Sequence, residues 1–181
     1  MLNDFALISR FLVTGDERCF TILVERHRPK IRRFFLAQTL GDEALSDDLT
    51  QDTFVRVWQR LGSFRQAAQF STWLRRIAYN LWLDHLRSTP EAPVPLCEAA
   101  GSGQADLLDD DGPPEAAVPA ERLLAVLPML PTSERICLTM FYLEDLSVKD
   151  IARITSFTST AIRTHLHRGR NRLRTMLKND E

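Results

Sequence analysis

The amino-acid sequence predicts an all-α fold in which two small helical domains are joined by a flexible acidic linker. Apolar residues recur at helical spacing towards both ends of the 181-residue chain, and no stretch alternates as a strand would. The segment between the two ends is rich in proline and acidic residues and shows no helical or strand periodicity. We place the domains at residues 1–88 and 120–181, with the linker at 89–119 and a helix-turn-helix in the second domain.

Two helices are predicted to open the first domain. Apolar residues within 5–12 form a short amphipathic helix that ends near Gly15. Asp16 is suited to cap a longer helix, because its carboxylate can accept a hydrogen bond from a free backbone N–H group. Pro29 should kink this helix, and Gly41 should end it.

Two further helices complete the first domain. Ser46 or a nearby acid begins the third helix, and Gly62 ends it. After a loop at 63–69, Ser71 is predicted to cap a fourth helix that runs to about Arg87. The residues expected to face the core are Leu45, Leu49, Thr53, Val57 and Leu61 in the third helix and Leu74, Ile77, Ala78 and Leu81 in the fourth.

The second domain is also predicted to be helical. Its helices are expected at about 120–127, 133–143, 148–154 and 159–178. Ser147 and Asp150 form a capping-box pattern at the start of the third of these. The break between the last two helices is only three or four residues long, and so short a joint is typical of a helix-turn-helix.

Charge is distributed unevenly along the chain, although its 23 basic and 24 acidic residues give a net charge of only −1. Residues 1–88 carry 13 basic and 10 acidic side chains, and residues 121–181 carry 10 and 7. The segment 89–120 has seven acids and no Lys or Arg. Two basic domains favour a nucleic-acid partner, which the net charge taken alone would argue against.

Other classes of protein find no support in the sequence. The longest uncharged stretch, 123–133, contains two prolines and is too short to span a membrane, and no secretory signal pattern is present. The three cysteines are too far apart for a disulfide framework or a Cys-based zinc site, which favours the cytoplasm. His165 and His167 point to different sides of a helix, and no nucleophile or phosphate-loop motif occurs. We therefore expect a protein that is not an enzyme and has no metal, cofactor or small-molecule substrate.

The strongest candidate site is the last helix. Between Thr158 and Lys178 there are six basic residues and no acid, and one apolar face contains Ile162, Leu166, Leu173 and Leu177. Short polar side chains at its start suit base edges, and the later arginines suit phosphates. The pattern favours DNA recognition, with a solvated basic surface helix as the alternative.

A second candidate is the helix at 71–87 with the loop before it. Arg76, Asn80, Asp84 and Arg87 form one polar stripe at helical spacing. Aromatic side chains and Arg65 surround the stripe, which is the chemistry that unpaired bases need for stacking and hydrogen bonding. The alternative is that the aromatic residues belong to the core, which we expect for Phe70 and Trp82. The other aromatic residues are Phe64, Trp73 and Tyr79.

A third surface is acidic and lies on the helix before the loop. Asp48, Gln51, Asp52, Val55 and Gln59 share its outer face. Such a face either serves solubility or docks a basic partner.

Three strings carrying these residues resemble motifs of the sigma-70 family of bacterial transcription initiation factors, specifically its small extracytoplasmic function (ECF) group. DDLTQDTFVRVW (Asp47–Trp58) is similar to the helix of the family's second region, and FSTWLRRIAYNLWLDHLR (Phe70–Arg87) to its promoter-melting helix. LPTSERICLTMFYLEDLSVKDIARI followed by TSTAIRTHLHRGRNRLRTML resembles the helix-turn-helix of the fourth region. The resemblance covers both basic domains.

The resemblance implies partners and roles for the three surfaces. Such a factor binds the β′ and β subunits of core RNA polymerase and directs them to promoter DNA. The loop at 63–69 would hold a base flipped out of the duplex, and the acidic linker would thread a basic channel of the polymerase. The implied contacts are Asp48, Gln51, Asp52 and Arg56 for polymerase, Phe64, Arg65, Trp73, Arg76, Asn80 and Arg87 for the −10 element, and Ser159, Arg163, Thr164, His167 and Arg168 for the −35 element.

The sequence also departs from the family pattern. Thr155-Ser156-Phe157 stands where a Gly or another small residue is usual, and Thr160-Ala161 stands where Gly-Thr is usual. The base preference at −35 therefore does not transfer.

Regulation and rival functions follow from the same resemblance. It implies a cognate anti-sigma factor, often membrane-anchored, that holds the protein inactive. The alternatives are a decoy that binds an anti-sigma factor without DNA, and a stand-alone helix-turn-helix regulator. We also expect the linker to compete with DNA, so that deleting 91–117 raises the DNA affinity of the free protein.

Overall fold

The structure is a computed structural model and describes residues 2–65, 69–89 and 127–178. Throughout these ranges every regular element is helical, which confirms the all-α prediction. The linker predicted at 89–119 and the helix predicted over 120–127 lie almost wholly outside the described residues. The structure therefore does not test whether the linker competes with DNA. The linker, the helix and this competition stay predictions, as do the domain boundaries. None of the described helices is both long and apolar enough to cross a bilayer.

The described residues of the N-terminal part, 2–65 and 69–89, form four α-helices: α1 (Asp4–Thr14), α2 (Glu17–Gln38), α3 (Glu43–Arg60) and α4 (Phe70–Ser88). A 3-10 turn (Leu61–Ser63) follows α3. Helix α2 packs against α1 and α3, and α4 packs against α3. The residues that are most completely buried between them are Leu7, Leu23, Ile31, Phe35, Val57, Leu61 and Leu74.

The ends of the first three helices are determined by short-range signals. Gly15 follows α1 with a φ of 69°, and the Asp16 carboxylate accepts a hydrogen bond from the Arg18 N–H at the start of α2. Asp42 does the same for α3 through the Leu45 N–H, so an acid rather than Ser46 begins that helix. Helix α2 runs through Pro29 without a break.

The predicted cap of α4 at Ser71 is wrong. Helix α4 already begins at Phe70, and Gln69 stands at the cap position without a side-chain hydrogen bond. The Phe70 ring is buried and its centroid lies 5.2 Å from that of His27. With this ring buried in the first turn, the helix starts two residues earlier than a cap at Ser71 would place it.

Within residues 127–178, the C-terminal range that the structure describes, there are three α-helices: α5 (Thr132–Leu138), α6 (Val148–Thr155) and α7 (Ser159–Lys178). A 3-10 turn (Leu127–Met129) precedes α5. The helix predicted over 133–143 is α-helical only to Leu138, because its last five residues form a π-helical turn (Thr139–Leu143).

The joint between α6 and α7 has helix-turn-helix form. The Ser147 hydroxyl accepts from the Asp150 N–H and donates to the Asp150 carboxylate at 2.6 Å, which confirms that Ser147 caps α6. Residues 156–158 make the turn, and Ser156 has a φ of 65°. Ser156 therefore adopts the left-handed conformation that glycine adopts at lower cost. The Thr158 hydroxyl caps α7 by accepting from the Ala161 N–H.

Candidate nucleic-acid interface

The outer face of α3 is acidic and exposed. Asp48, Gln51, Asp52, Val55 and Gln59 all point away from the core, because Leu49, Thr53 and Val57 on the opposite side are buried. This arrangement agrees with the face predicted from the sequence.

Asp47 belongs to the fold rather than to this face. Its carboxylate lies 2.7 Å from the Arg32 Nε of α2. The hydrogen bond from Arg32 holds the pKa of Asp47 below its ordinary value. Asp48 and Asp52 therefore supply the outward negative charge of this stretch.

An apolar depression with a volume of about 500 Å³ lies beside the acidic face. Val55 and Trp58 are 47% and 43% exposed at its edge. The Trp58 ring packs edge-on against Phe11 and Phe20, with centroids 4.9 and 4.8 Å apart. Trp58 is a candidate contact that the sequence analysis missed, because its exposure depends on how α1 and α2 cover α3.

Arg56 is tied to a neighbouring helix. Its Nη1 lies 3.0 Å from the Asp84 Oδ2 of α4, and the same carboxylate accepts from Arg87 at 3.3 Å. Arg56 is half-buried, whereas Asp48 and Asp52 are exposed. Arg56, alone among the four predicted polymerase contacts, is thus seen in an ion pair that joins α3 to α4.

The polar stripe of α4 is exposed along its length. Arg76, Asn80, Asp84 and Arg87 all face solvent. Phe70 and Trp82 are core residues, as expected, and Tyr79 is buried with them. The buried aromatic rings anchor the inner side of α4 in the core. The polar stripe on its outer side is therefore accessible to a strand of nucleic acid.

Two aromatic rings remain near the surface at the start of α4. Phe64 and Trp73 are half-buried, with ring centroids 5.3 Å apart, and both contact Phe70. Arg65 is exposed beside them. Residues 66–68 of the predicted base-holding loop lie outside the described residues. The described part of the loop and the start of α4 therefore present two aromatic rings, Phe64 and Trp73, together with the Arg65 cation.

The outer face of α7 contains all five predicted −35 contacts. Ser159, Arg163, His167 and Arg168 are exposed, and Thr164 is half-buried. The His167 ring lies 3.0 Å from the Asn171 amide, and the Thr164 hydroxyl donates to the Thr160 carbonyl. Ser159, Arg163 and His167 follow one another at four-residue intervals, so they share one side of the helix.

The inner face of α7 packs against α5. Ile162, Leu166 and Leu173 are buried there, and the Cβ that an alanine would add at Gly169 would lie 2.6 Å from the Leu138 Cδ1. Arg172 forms an ion pair with the nearly buried Glu134 at 3.1 Å. Arg172 therefore supports the fold, although the sequence analysis counted it with the phosphate-binding arginines.

Metal binding and thiol chemistry find little support in the described ranges. No group of three His, Cys, Asp or Glu side chains there is arranged to hold a metal ion. Burial raises the pKa of the Cys137 thiol to about 12, so the reactive thiolate is scarce at neutral pH.

Comparisons with known proteins cover both halves of the chain. The family model Sigma-70 region 2 matches residues 23–90, and the model Sigma-70, region 4 matches residues 120–173. The ECF RNA polymerase sigma factor SigW of Bacillus subtilis is 30% identical over 172 residues, which cover 91% of this chain and 91% of SigW. The RNA polymerase sigma-H factor of Pseudomonas aeruginosa is 30% identical over 176 residues, which cover 93% and 90% of the two chains.

A solved structure supports the fold. The sigma factor RpoE, in its complex with the anti-sigma factor NepR from Bartonella quintana, aligns with a TM-score of 0.65 and 23% identity. The alignment covers 90% of this chain and 98% of that one.

Proposed function

The chain belongs to the ECF group of RNA polymerase sigma factors, and we propose that it uses one helix for each of its three contacts. Helix α3 binds core polymerase, α4 opens and reads the −10 element, and α7 reads the −35 element. The observation that carries this proposal is the exposure pattern: most of the side chains matching the family's contacts are exposed, on three helices whose opposite sides are buried or in the loop before α4.

Docking on polymerase combines charge with apolar contact. Asp48 and Asp52 attract a basic partner and orient it, and the depression beside Trp58 and Val55 accepts its apolar side chains. A coiled coil offers the charged part of this match, since charged side chains flank its buried apolar seam. We assign this role to the β′ subunit, and further contacts to the β subunit.

Promoter opening uses the rings at the start of α4. Extruding one base from duplex DNA costs a few kcal/mol, and stacking on an aromatic side chain returns about 1–3 kcal/mol per base. Phe64 and Trp73 supply such rings. Arg65, Arg76, Asn80 and Arg87 follow the separated strand with charge and hydrogen bonds. No bond is made or broken in this process, so the protein acts without catalytic chemistry of its own.

Recognition of the −35 element uses the start of α7. A recognition helix places its N-terminal residues against base edges in the major groove. Ser159, Arg163 and His167 occupy that position, with Thr164 beside them, and Arg168 lies one turn beyond Thr164 for phosphate contact.

Control by an anti-sigma factor is part of the proposal. The similar RpoE structure contains an anti-sigma factor. We propose that a cognate anti-sigma factor, often membrane-anchored in this family, covers the α3 and α4 surfaces and keeps the protein from polymerase in the cytoplasm.

Transcription in vitro from a promoter library tests the function directly. Core polymerase with this chain should produce promoter-dependent transcripts that core polymerase alone does not. If no such transcripts form, the proposal is wrong. Binding to an anti-sigma factor without binding to core polymerase would instead identify a decoy, and tight operator binding without polymerase would identify a stand-alone regulator.

A further inference from the structure

The exposed side of α7 contains a hydrogen bond between two side chains one helical turn apart. The Asn171 amide nitrogen lies 3.0 Å from the Nε2 of His167. Both side chains are exposed. His167 is one of the −35 contacts that the family resemblance implies, whereas Asn171 is not among them. The pair therefore joins an expected base-reading residue to a residue without an assigned role.

This hydrogen bond determines which nitrogen of the His167 ring carries the proton. An amide nitrogen can only donate, so Nε2 is the acceptor, and a neutral imidazole then has its proton on Nδ1. Among the described residues, no other group is hydrogen bonded to the His167 ring. The Nδ1–H group is therefore available to donate to a partner outside the chain.

The His167 ring lies on the side of α7 that is expected to face base edges. Arg163 and Thr164 precede it by four and three residues, so all three share this side of the helix. In the major groove guanine presents two acceptors, N7 and O6, whereas adenine and thymine present one each and cytosine presents only a donor. A donor at Nδ1 therefore favours guanine and disfavours cytosine.

We propose that Asn171 is a positioning residue for recognition of the −35 element. By holding the His167 ring with its proton on Nδ1, Asn171 makes His167 select a base that presents an acceptor in the major groove, with guanine preferred and cytosine rejected. The inference rests on the proposed function, because His167 meets a base only when α7 lies in the major groove of the promoter.

The test measures binding of the holoenzyme to promoter duplexes at about pH 8, where a free imidazole is neutral. Each base pair of the −35 element found in the transcription assay is changed in turn to the other three. His167→Ala identifies the position that His167 reads. Thr175→Ala is the matched control, because Thr175 is exposed one turn beyond Asn171 and its hydroxyl donates to a backbone carbonyl rather than to His167.

Two substitutions of Asn171 separate its donor from its size. Asn171→Leu retains the approximate volume of the side chain and removes the donor. Asn171→Asp replaces the donor with an acceptor, which moves the ring proton to Nε2 and leaves Nδ1 of His167 as an acceptor. The added negative charge should weaken binding to all duplexes alike, so the preference among bases is the measurement that decides.

The wild type should prefer guanine over cytosine at one position by about 2- to 10-fold, the range for one net hydrogen bond. His167→Ala should abolish this preference, and Asn171→Leu should reduce it at the same position only. Asn171→Asp should shift it towards cytosine or adenine, which present donors. Thr175→Ala should keep the wild-type preference.

The inference is overturned if His167→Ala changes no base preference, or if both Asn171 variants keep the wild-type preference at the position that His167 reads. A wild-type preference for cytosine there would overturn it as well, because Nδ1 would then have to accept. A wild-type holoenzyme that binds no −35 duplex and makes no transcript would overturn the proposed function itself.

Discussion

The Arg56 guanidinium lies 3.0 Å from the Asp84 carboxylate, which ties the acidic face of α3 to the basic stripe of α4. Asp84 is the one acid in that stripe, and it also accepts from Arg87. The side chains of Arg56 and Asp84 are 35% and 48% exposed, so the pair contributes less than about 1 kcal/mol to stability. Its greater effect is to compensate a negative charge where DNA is expected to bind.

Replacing Arg56 should therefore affect DNA binding more than folding. In Arg56→Gln, the Asp84 charge is less compensated and repels phosphate, so binding of the −10 strand should weaken about 2- to 10-fold at low salt. Asp84→Asn should have the opposite effect and tighten binding. Fluorescence anisotropy at two salt concentrations measures both. A fall of more than about 2 kcal/mol in the unfolding free energy of Arg56→Gln would show that the pair is structural instead.

Charge reversal on α3 should separate docking from folding. Asp48→Lys combined with Asp52→Lys should weaken binding to core polymerase at least about 10-fold, because two lysines would stand in place of the exposed carboxylates and repel the basic partner. The melting temperature should stay close to that of the wild type. Glu25→Lys, an exposed reversal on α2, is the matched control and should bind normally. Equal loss of binding in the control would point to net charge rather than to this face.

Arg163 and Arg168 on α7 should affect DNA binding, whereas Arg172 on the same helix should affect stability. Arg163→Ala and Arg168→Ala should leave polymerase binding unchanged and weaken promoters that depend on the −35 element. Each lost phosphate contact should reduce the salt dependence of DNA binding by about one unit of slope. Transcription from promoters with and without a −35 element checks this.

Arg172→Ala provides the contrast on the same helix. It should lower the unfolding free energy by about 1 kcal/mol, because the nearly buried Glu134 loses its ion-pair partner. If Arg172→Ala and Arg168→Ala lower stability equally, the division between fold-supporting and DNA-facing arginines is wrong.

The N-terminal part should lose stability in mild acid. Burial lowers the pKa of His27, with Asp4 opposing this effect and Arg75 and Arg26 adding to it. The unfolded chain then binds a proton more readily than the folded one, so this contribution is present above about pH 6.5 and is lost as pH falls below it. His27→Gln should flatten the dependence of the unfolding free energy on pH between about 7 and 5. His167→Gln, an exposed control, should leave the curve as steep as in the wild type.

Local signals and tertiary packing explain which features the sequence could predict. The caps at Asp16 and Ser147 depend on hydrogen bonds over two or three residues, so they were predicted correctly. The start of α4 and the role of Arg172 depend on packing against distant residues, which no local pattern reports.

Gly169 should be required for α7 to pack closely on α5. Alanine normally favours a helix over glycine by about 1 kcal/mol. Here its Cβ would lie 2.6 Å from the Cδ1 of Leu138, which is fully buried. Such overpacking costs about 1–3 kcal/mol, so Gly169→Ala should lower the unfolding free energy. Adding Leu138→Ala should make the Gly169→Ala change neutral or stabilising, because the clashing methyl groups are gone. Denaturant unfolding of the four variants in this cycle measures the coupling, and additive effects would show that the two residues do not clash.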